Sequence, residues 1–137
     1  VHYAFFSLII LVLSAKKDFL MEKRRKIRSL KENHLFQKAY KKGKSAAAST
    51  VVLYVMKNYD NKTTLVGFTV SKSLGKAVKR NRMKRKIKEA YRHLHPFVKD
   101  GFILVFVAKK ASYDAHFSVI QEEIYTLLKK ADLLKSE

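Results

Sequence analysis

The sequence predicts a single α+β domain, a small sheet with three helices packed on it. Three observations carry this. Apolar residues recur at helical spacing in three segments, and β-branched and aromatic runs lie between them. The order helix, strand, strand, helix, strand, helix is unbroken by any repeat, low-complexity tract or linker. The chain has 137 residues, 47 % of them hydrophobic, which suffices for one core and not comfortably for two.

The first twenty residues stand apart from that domain. VHYAFFSLIILVLS is almost uncharged, and its apolar run over residues 5–13 is shorter than the ~20 residues that span a bilayer. It lacks the cationic leading region and small-residue cleavage site of a secretory signal. Composition changes abruptly at Met21, in MEKRRKIRSL. The natural start is therefore expected at Met21, with residues 1–20 an apolar leader and 21–137 the domain. A short membrane anchor is the alternative.

ENHLFQKAYKKGKS places Leu35, Phe36, Ala39 and Tyr40 at helical spacing. Lys41 and Lys42 suit the negative end of the helix dipole, and Gly43 is the stop. STVVLYVMK reads as a strand, NYDNK as a turn and TTLVGFTVS as a second strand, so the pair reads as a hairpin. SKSLGK is a loop, and a helix over residues 79–94 ends near Pro96. FILVFVAKK is a third strand, continuously apolar and expected to be buried on both faces. Asp114 is a candidate cap for the last helix, in which Phe117, Ile120, Ile124, Leu127, Leu128 and Ala131 form one apolar stripe.

Charge is the abnormal quantity. Thirty Lys and Arg against eleven Asp and Glu give a formal +19. Such a field gathers polyanions, with nucleic acid the first candidate and an anionic membrane surface the second. The absence of cysteine excludes disulfides and thiolate metal sites and fits a reducing cytoplasm.

The charge concentrates in VKRNRMKRKIKEAYR. Met83, Ile87, Tyr91 and Leu94, with Ala90 beside them, make one buried stripe. Lys79, Arg80, Arg82, Lys84, Arg85, Lys86, Lys88 and Arg92 fill most of the rest, opposed by Glu89 alone. Like charges four apart each cost a few tenths of a kcal/mol in an isolated helix. The bland alternative is a solvated face, but solvation favours mixed signs, and ten basic residues over 72–92 against one acid are not mixed. Cations at the N-terminal half of a helix oppose its dipole, while the free amides there attract anions. Arginine can grip a phosphate with two hydrogen bonds. Asn81 either reads a base edge or a 2′-hydroxyl, or caps the backbone locally.

VGFTVSKSLGKAVKRNRMKRKIKEAYR resembles the signature of the bacterial ribonuclease P protein component. The matching pieces are Gly67-Phe68, Ser71-Lys72, Gly75, Ala77-Val78, Arg80-Asn81-Arg82 and Lys84-Arg85; LFQKAYKKGKS resembles that family's first helix and following loop. The likeness runs over roughly residues 26–134 and is long and ordered. It implies about four strands in a mixed sheet with three helices and a left-handed strand–helix–strand crossover. General rules favour a right-handed crossover, so that feature comes from the resemblance alone. The implied function is a protein subunit of ribonuclease P, an endonuclease. The subunit binds a catalytic RNA and the 5′ leader of precursor tRNA, and the RNA with its magnesium ions removes the leader. Its location would be cytoplasmic, with no stable membrane association.

The resemblance implies catalytic-RNA contacts at Arg80, Asn81 and Arg82. The surrounding Lys76, Lys79, Lys84, Arg85 and Lys88 extend that surface. It also implies a leader cleft between the first helix and the sheet, lined by Phe36, Tyr40 and Tyr54 with Lys72 at its edge. Three departures bear on leader contacts: Ser73 where a second lysine is common, Leu35 where an acid is common, and Ser49 where a base is common.

The residues themselves support such a groove conditionally. Phe36 and Tyr40 share a helix face, and Tyr54 faces opposite Leu53 on its strand. If the two faces adjoin, they make a stacking groove with basic flanks at Lys38, Lys41 and Lys72. Otherwise these aromatics are core, as aromatics at helical spacing usually are. No catalytic cluster is expected in the protein and no cofactor held by it alone. Its acids are scattered, His34 and His116 are isolated, and His93 and His95 read as surface or capping residues. The competing function is a ribosomal-type basic RNA-binding protein without an enzyme partner. A membrane-surface protein is the third reading.

Overall fold

The computed structural model describes residues 26–59 and 62–135. The leader at residues 1–20 and the expected start at Met21 lie outside the described residues. The chain runs β1 (Arg28–Ser29), α1 (Asn33–Lys42), β2 (Lys44–Ala47), β3 (Val51–Lys57), β4 (Leu65–Val70), α2 (Ala77–Arg92), β5 (Phe102–Ala108) and α3 (Phe117–Lys130). Short 3-10 turns occupy Lys72–Leu74, His95–Phe97 and Lys110–Ser112. The class is α+β with three helices, as expected, but the sheet has five strands in the order β1-β4-β5-β3-β2. The two unforeseen strands are short edges with little apolar periodicity to announce them.

The hairpin expected between β3 and β4 does not form. β5 inserts between them, antiparallel to β3 from Val51↔Ala108 to Lys57↔Phe102 and parallel to β4 from Leu65↔Ile103 to Val70↔Ala108. The reason lies in β5 itself. A strand apolar on both faces is best buried at the centre of a sheet, with a partner on each edge. β3 and β4 are thereby set two strand spacings apart, about 9.5 Å. Asn58 N–H donates to Gly101 O at 2.9 Å, and Asn58 Nδ2 donates to Thr63 O at 2.9 Å. The hairpin partner of β3 is β2, in register from Lys44↔Val55 to Ala47↔Val52.

β4, α2 and β5 form the strand–helix–strand crossover, and α2 packs with α3 on one face of the sheet. The main core lies there: Val51 and Leu53 of β3, Phe68 of β4 and Phe106 of β5 meet Met83, Ile87 and Tyr91 of α2 and Ile120, Ile124 and Leu128 of α3. Phe106 stacks on Phe68 with centroids 5.6 Å apart and meets Tyr91 at 5.1 Å. The Tyr91 hydroxyl is hydrogen-bonded to His95 Nδ1 at 2.7 Å. His95 is 5 % exposed, so it is a core histidine rather than the surface or capping residue expected. A buried phenol needs a polar partner, and His95 stands four residues on.

Asp114 does not cap α3; His116 occupies that position and makes no side-chain cap bond. The helix is pinned instead by Glu123. Its carboxylate accepts hydrogen bonds from Ser49 Oγ, from Thr50 N–H at 2.8 Å and from Thr50 Oγ1 at 2.6 Å, tying α3 to the β2–β3 turn. Burial pushes the Glu123 carboxyl up, but the bonds from Ser49 and Thr50 outweigh it and hold the group below its ordinary value. The folded-state value is thus depressed, so the clamp's contribution is present above the unfolded pKa and lost as pH falls through the folded one. Glu123→Ala leaves the buried Thr50 N–H unsatisfied, which costs about 1–3 kcal/mol. Thermal melts should show that loss at neutral pH. The gap between variant and parent should narrow as pH falls below the ordinary value of 4.5; a gap constant with pH would mean the charge is irrelevant.

Candidate nucleic-acid interface

Helix α2 buries Met83, Ile87, Ala90 and Tyr91, so its opposite side must face water. Asn81, Arg82, Lys84, Arg85, Lys88 and Arg92 are exposed there, with Lys76 exposed at the N-cap. Lys79 and Arg80 lie on the flanks and are half-buried. Arg92 is shared with Glu89 at 3.5 Å, and His93 lies 3.7 Å from the same carboxylate. Among the described residues no other α2 cation is paired with an acid. Asn81 sits in the second helical turn, not at the cap, and its side chain makes no hydrogen bond among the described residues. The capping alternative therefore does not apply.

The helix start is set by the turn before it. Ser71 Oγ accepts from Ser73 N–H at 3.3 Å, and the two hydroxyls are 2.9 Å apart. Gly75 adopts φ +141°, a conformation that costs side-chain-bearing residues strain, and a Cβ there would stand 2.8 Å from Lys79 Cδ. Arg80 Nε donates to Gly75 O at 3.1 Å, which fixes the base of that side chain while leaving its terminal nitrogens unspent.

Not every cation on α2 is offered outward. Lys79, Lys86 and His93 are spaced by seven, hence aligned along one flank. Lys86 Nζ donates to the carbonyls of Ser112 (3.2 Å), Tyr113 (3.4 Å) and Ala115. Lys79 Nζ lies 4.4 Å from the Tyr113 ring centroid, and His93 meets Phe117 edge-on at 6.2 Å. Phe117 was expected in the buried stripe of α3 but is 38 % exposed. It is the first residue of its helix, beyond the reach of the sheet. A repeat of seven is visible in the sequence, but what it grips comes from the β5–α3 connection and the first residue of α3.

On the other face of the sheet α1 is the one helix among the described residues. Its Ala39 packs with Leu30, Ile103 and Val105, and Leu35, Phe36, Tyr40 and Tyr54 are half-buried around them. The condition for a groove is met: the Tyr54 side of β3 is the side that α1 borders. Tyr40 and Tyr54 meet edge-to-face with centroids 5.1 Å apart, and the Tyr40 hydroxyl is 3.2 Å from Thr69 Oγ1 of β4. Phe36 lies so close to β4 that a Cβ on Gly67 would come within 2.5 Å of its ring. One ten-residue helix cannot cover the whole face, and Val52, Met56 and Val107 stay half-buried beside the tyrosines. Lys72 is exposed in the turn that leaves β4 for α2, between this cleft and the cationic ridge. The departures find local explanations: Leu35 packs in the small core, Ser73 closes the turn, and Ser49 binds Glu123.

A family model described as Ribonuclease P matches residues 24–132. The chain belongs to the ribonuclease P protein family. A relative named ribonuclease P protein component, from Alkaliphilus oremlandii, is 43 % identical over 110 residues, covering 80 % of this chain and 96 % of the relative. Two solved ribonuclease P proteins share the fold. That of Staphylococcus aureus has a TM-score of 0.70 at 32 % identity, covering 80 % of this chain and 100 % of its own. That of Thermotoga maritima has 0.63 at 27 % identity, covering 77 % and 97 %. This ribonuclease P protein is therefore an RNA-binding, tRNA-processing component of a ribonuclease complex, not a ribosomal-type protein. No helix among the described residues is long and apolar enough to cross a membrane.

The outward and inward cations of α2 should separate in binding experiments. Arg82→Ala with Arg85→Ala removes about two phosphate contacts, lowering the log–log salt slope of RNA binding by roughly 1.4–1.8. Lys86→Met should leave the slope unchanged and lower the melting temperature. Equal slope changes in both would place Lys86 on the RNA.

Proposed function

We propose that this chain binds the catalytic RNA of ribonuclease P through the α2 ridge and the 5′ leader of precursor tRNA in the α1–sheet cleft. By doing so it promotes endonucleolytic removal of the leader in the cytoplasm. One observation carries the reading: a rigid helix holds its outward cations, Arg92 apart, without acidic partners among the described residues, an arrangement that suits a polyanion. Lys76, Lys79, Arg80, Asn81, Arg82, Lys84, Arg85 and Lys88 are the proposed RNA contacts. In the cleft, Phe36, Tyr40 and Tyr54 offer stacking surface that tolerates any base, worth about 1–3 kcal/mol per base, with Lys72 for the backbone. Leaders differ in sequence, and stacking suits that need.

Bond breaking belongs to the RNA and its magnesium ions in this reading. Among the described residues no three His, Cys, Asp or Glu side chains gather to hold a metal. The protein's part is to bind, orient and neutralise. The full chain should stimulate cleavage of precursor tRNA by a ribonuclease P RNA at low magnesium. Tyr54→Ala should slow substrates with long leaders and spare leaderless tRNA binding. No stimulation at any magnesium concentration overturns the function, and equal loss with and without a leader removes the cleft from it.

A further inference from the structure

Four large apolar residues are exposed among the described residues, and three of them adjoin α2. Val78 lies on the helix, Tyr113 is 37 % exposed under Lys79, and Phe117 is 38 % exposed beside His93. We propose that residues 110–117 form a second arm of the RNA interface, on which the rings of Tyr113 and Phe117 stack unpaired bases of the RNA whose phosphates lie on the α2 ridge. This rests on the proposed function and adds a site to it.

The loop is built to hold these rings still. Lys86 grips the carbonyls of Ser112, Tyr113 and Ala115 from the middle of α2. Ser112 is fully buried, and its Oγ donates to Lys109 O at 2.8 Å. A surface ring so anchored loses little freedom when a base lands on it. Lys86 is thus a positioning residue: its charge satisfies three carbonyls and shapes the arm.

The neighbours decide the occupant. Lys79 and His93 are fourteen residues apart, so the arm flanks the ridge for about 21 Å. Along that length the exposed charges of α2 are Arg82, Lys84, Arg85, Lys88 and Arg92 against Glu89, and the arm itself adds Lys110 and Asp114, so cations prevail. An aromatic ring beside a cation suits a nucleotide, whose base stacks while its phosphate meets the charge. A paired helix offers phosphates but hides its base faces, so the rings select unpaired bases.

The chain contains no tryptophan, so Tyr113→Trp installs a single reporter. Lys86 holds Tyr113 by its carbonyl, so the side chain can change without releasing the loop. Ribonuclease P RNA should quench the tryptophan emission, and a fully paired RNA duplex of equal length, bound to saturation, should not. Tyr113→Ala should weaken binding of the same RNA about 5- to 150-fold per base lost, with the salt slope unchanged because no phosphate contact is removed. Bound RNA with unquenched tryptophan, equal quenching by the duplex, or unchanged affinity in Tyr113→Ala each overturns the inference alone. Failure of the unsubstituted chain to bind that RNA overturns the proposed function, and the arm with it.

Discussion

The burial of β5 on both faces is the constraint on which the rest of the structure depends. Ile103 and Val105 face α1, while Leu104 and Phe106 face α2 and α3. A strand with no polar face cannot sit at an edge, so β3 and β4 must part to receive it. That separation makes β4–α2–β5 a crossover and sends α2 across the sheet. Among the described residues it also leaves α1 as the one helix on the opposite side. The ridge and the cleft are thus two consequences of one strand's hydrophobicity.

Stability and charge are arranged to be independent. The stripe from Met83 to Tyr91 packs against Phe68 and Phe106, so α2 is held by apolar contact and not by ion pairing. Its outward cations repel one another, and the packed side offsets that repulsion while no polyanion is bound. Acids that could have neutralised the ridge are employed elsewhere. Glu123 clamps the β2–β3 turn, and Asp132 lies 3.5 Å from Lys99. Where a cation on α2 is spent internally, as Lys86 is, it meets carbonyls, which consume its hydrogen bonds without cancelling its charge.

The two faces also differ in how they treat aromatics. Phe68, Tyr91 and Phe106 interlock beneath two helices, and all three are buried. Tyr40 and Tyr54 meet under a single short helix and stay half-buried. The hydrogen bond between Tyr40 and Thr69 and the contact of the two rings keep them in place. The same residue type thus serves as core on one side of the sheet and as a surface on the other, according to how many helices cover it.

The sequence by itself determined the class, the three helices, the buried stripes of α2 and α3 and the alternation of β3. These depend on local periodicity, which the chain carries in its order. It also determined the family, because the signature around Arg80, Asn81 and Arg82 is long enough to exclude chance. Which strands pair was decided only by the tertiary structure. A hairpin and a pair split by β5 have the same local pattern, and only the need to bury both faces of β5 separates them. The same holds for His95, Glu123, Lys86 and Phe117. Each owes its role to a partner brought in from another element or left out of reach by packing, and no spacing along one segment records what will stand opposite it in space.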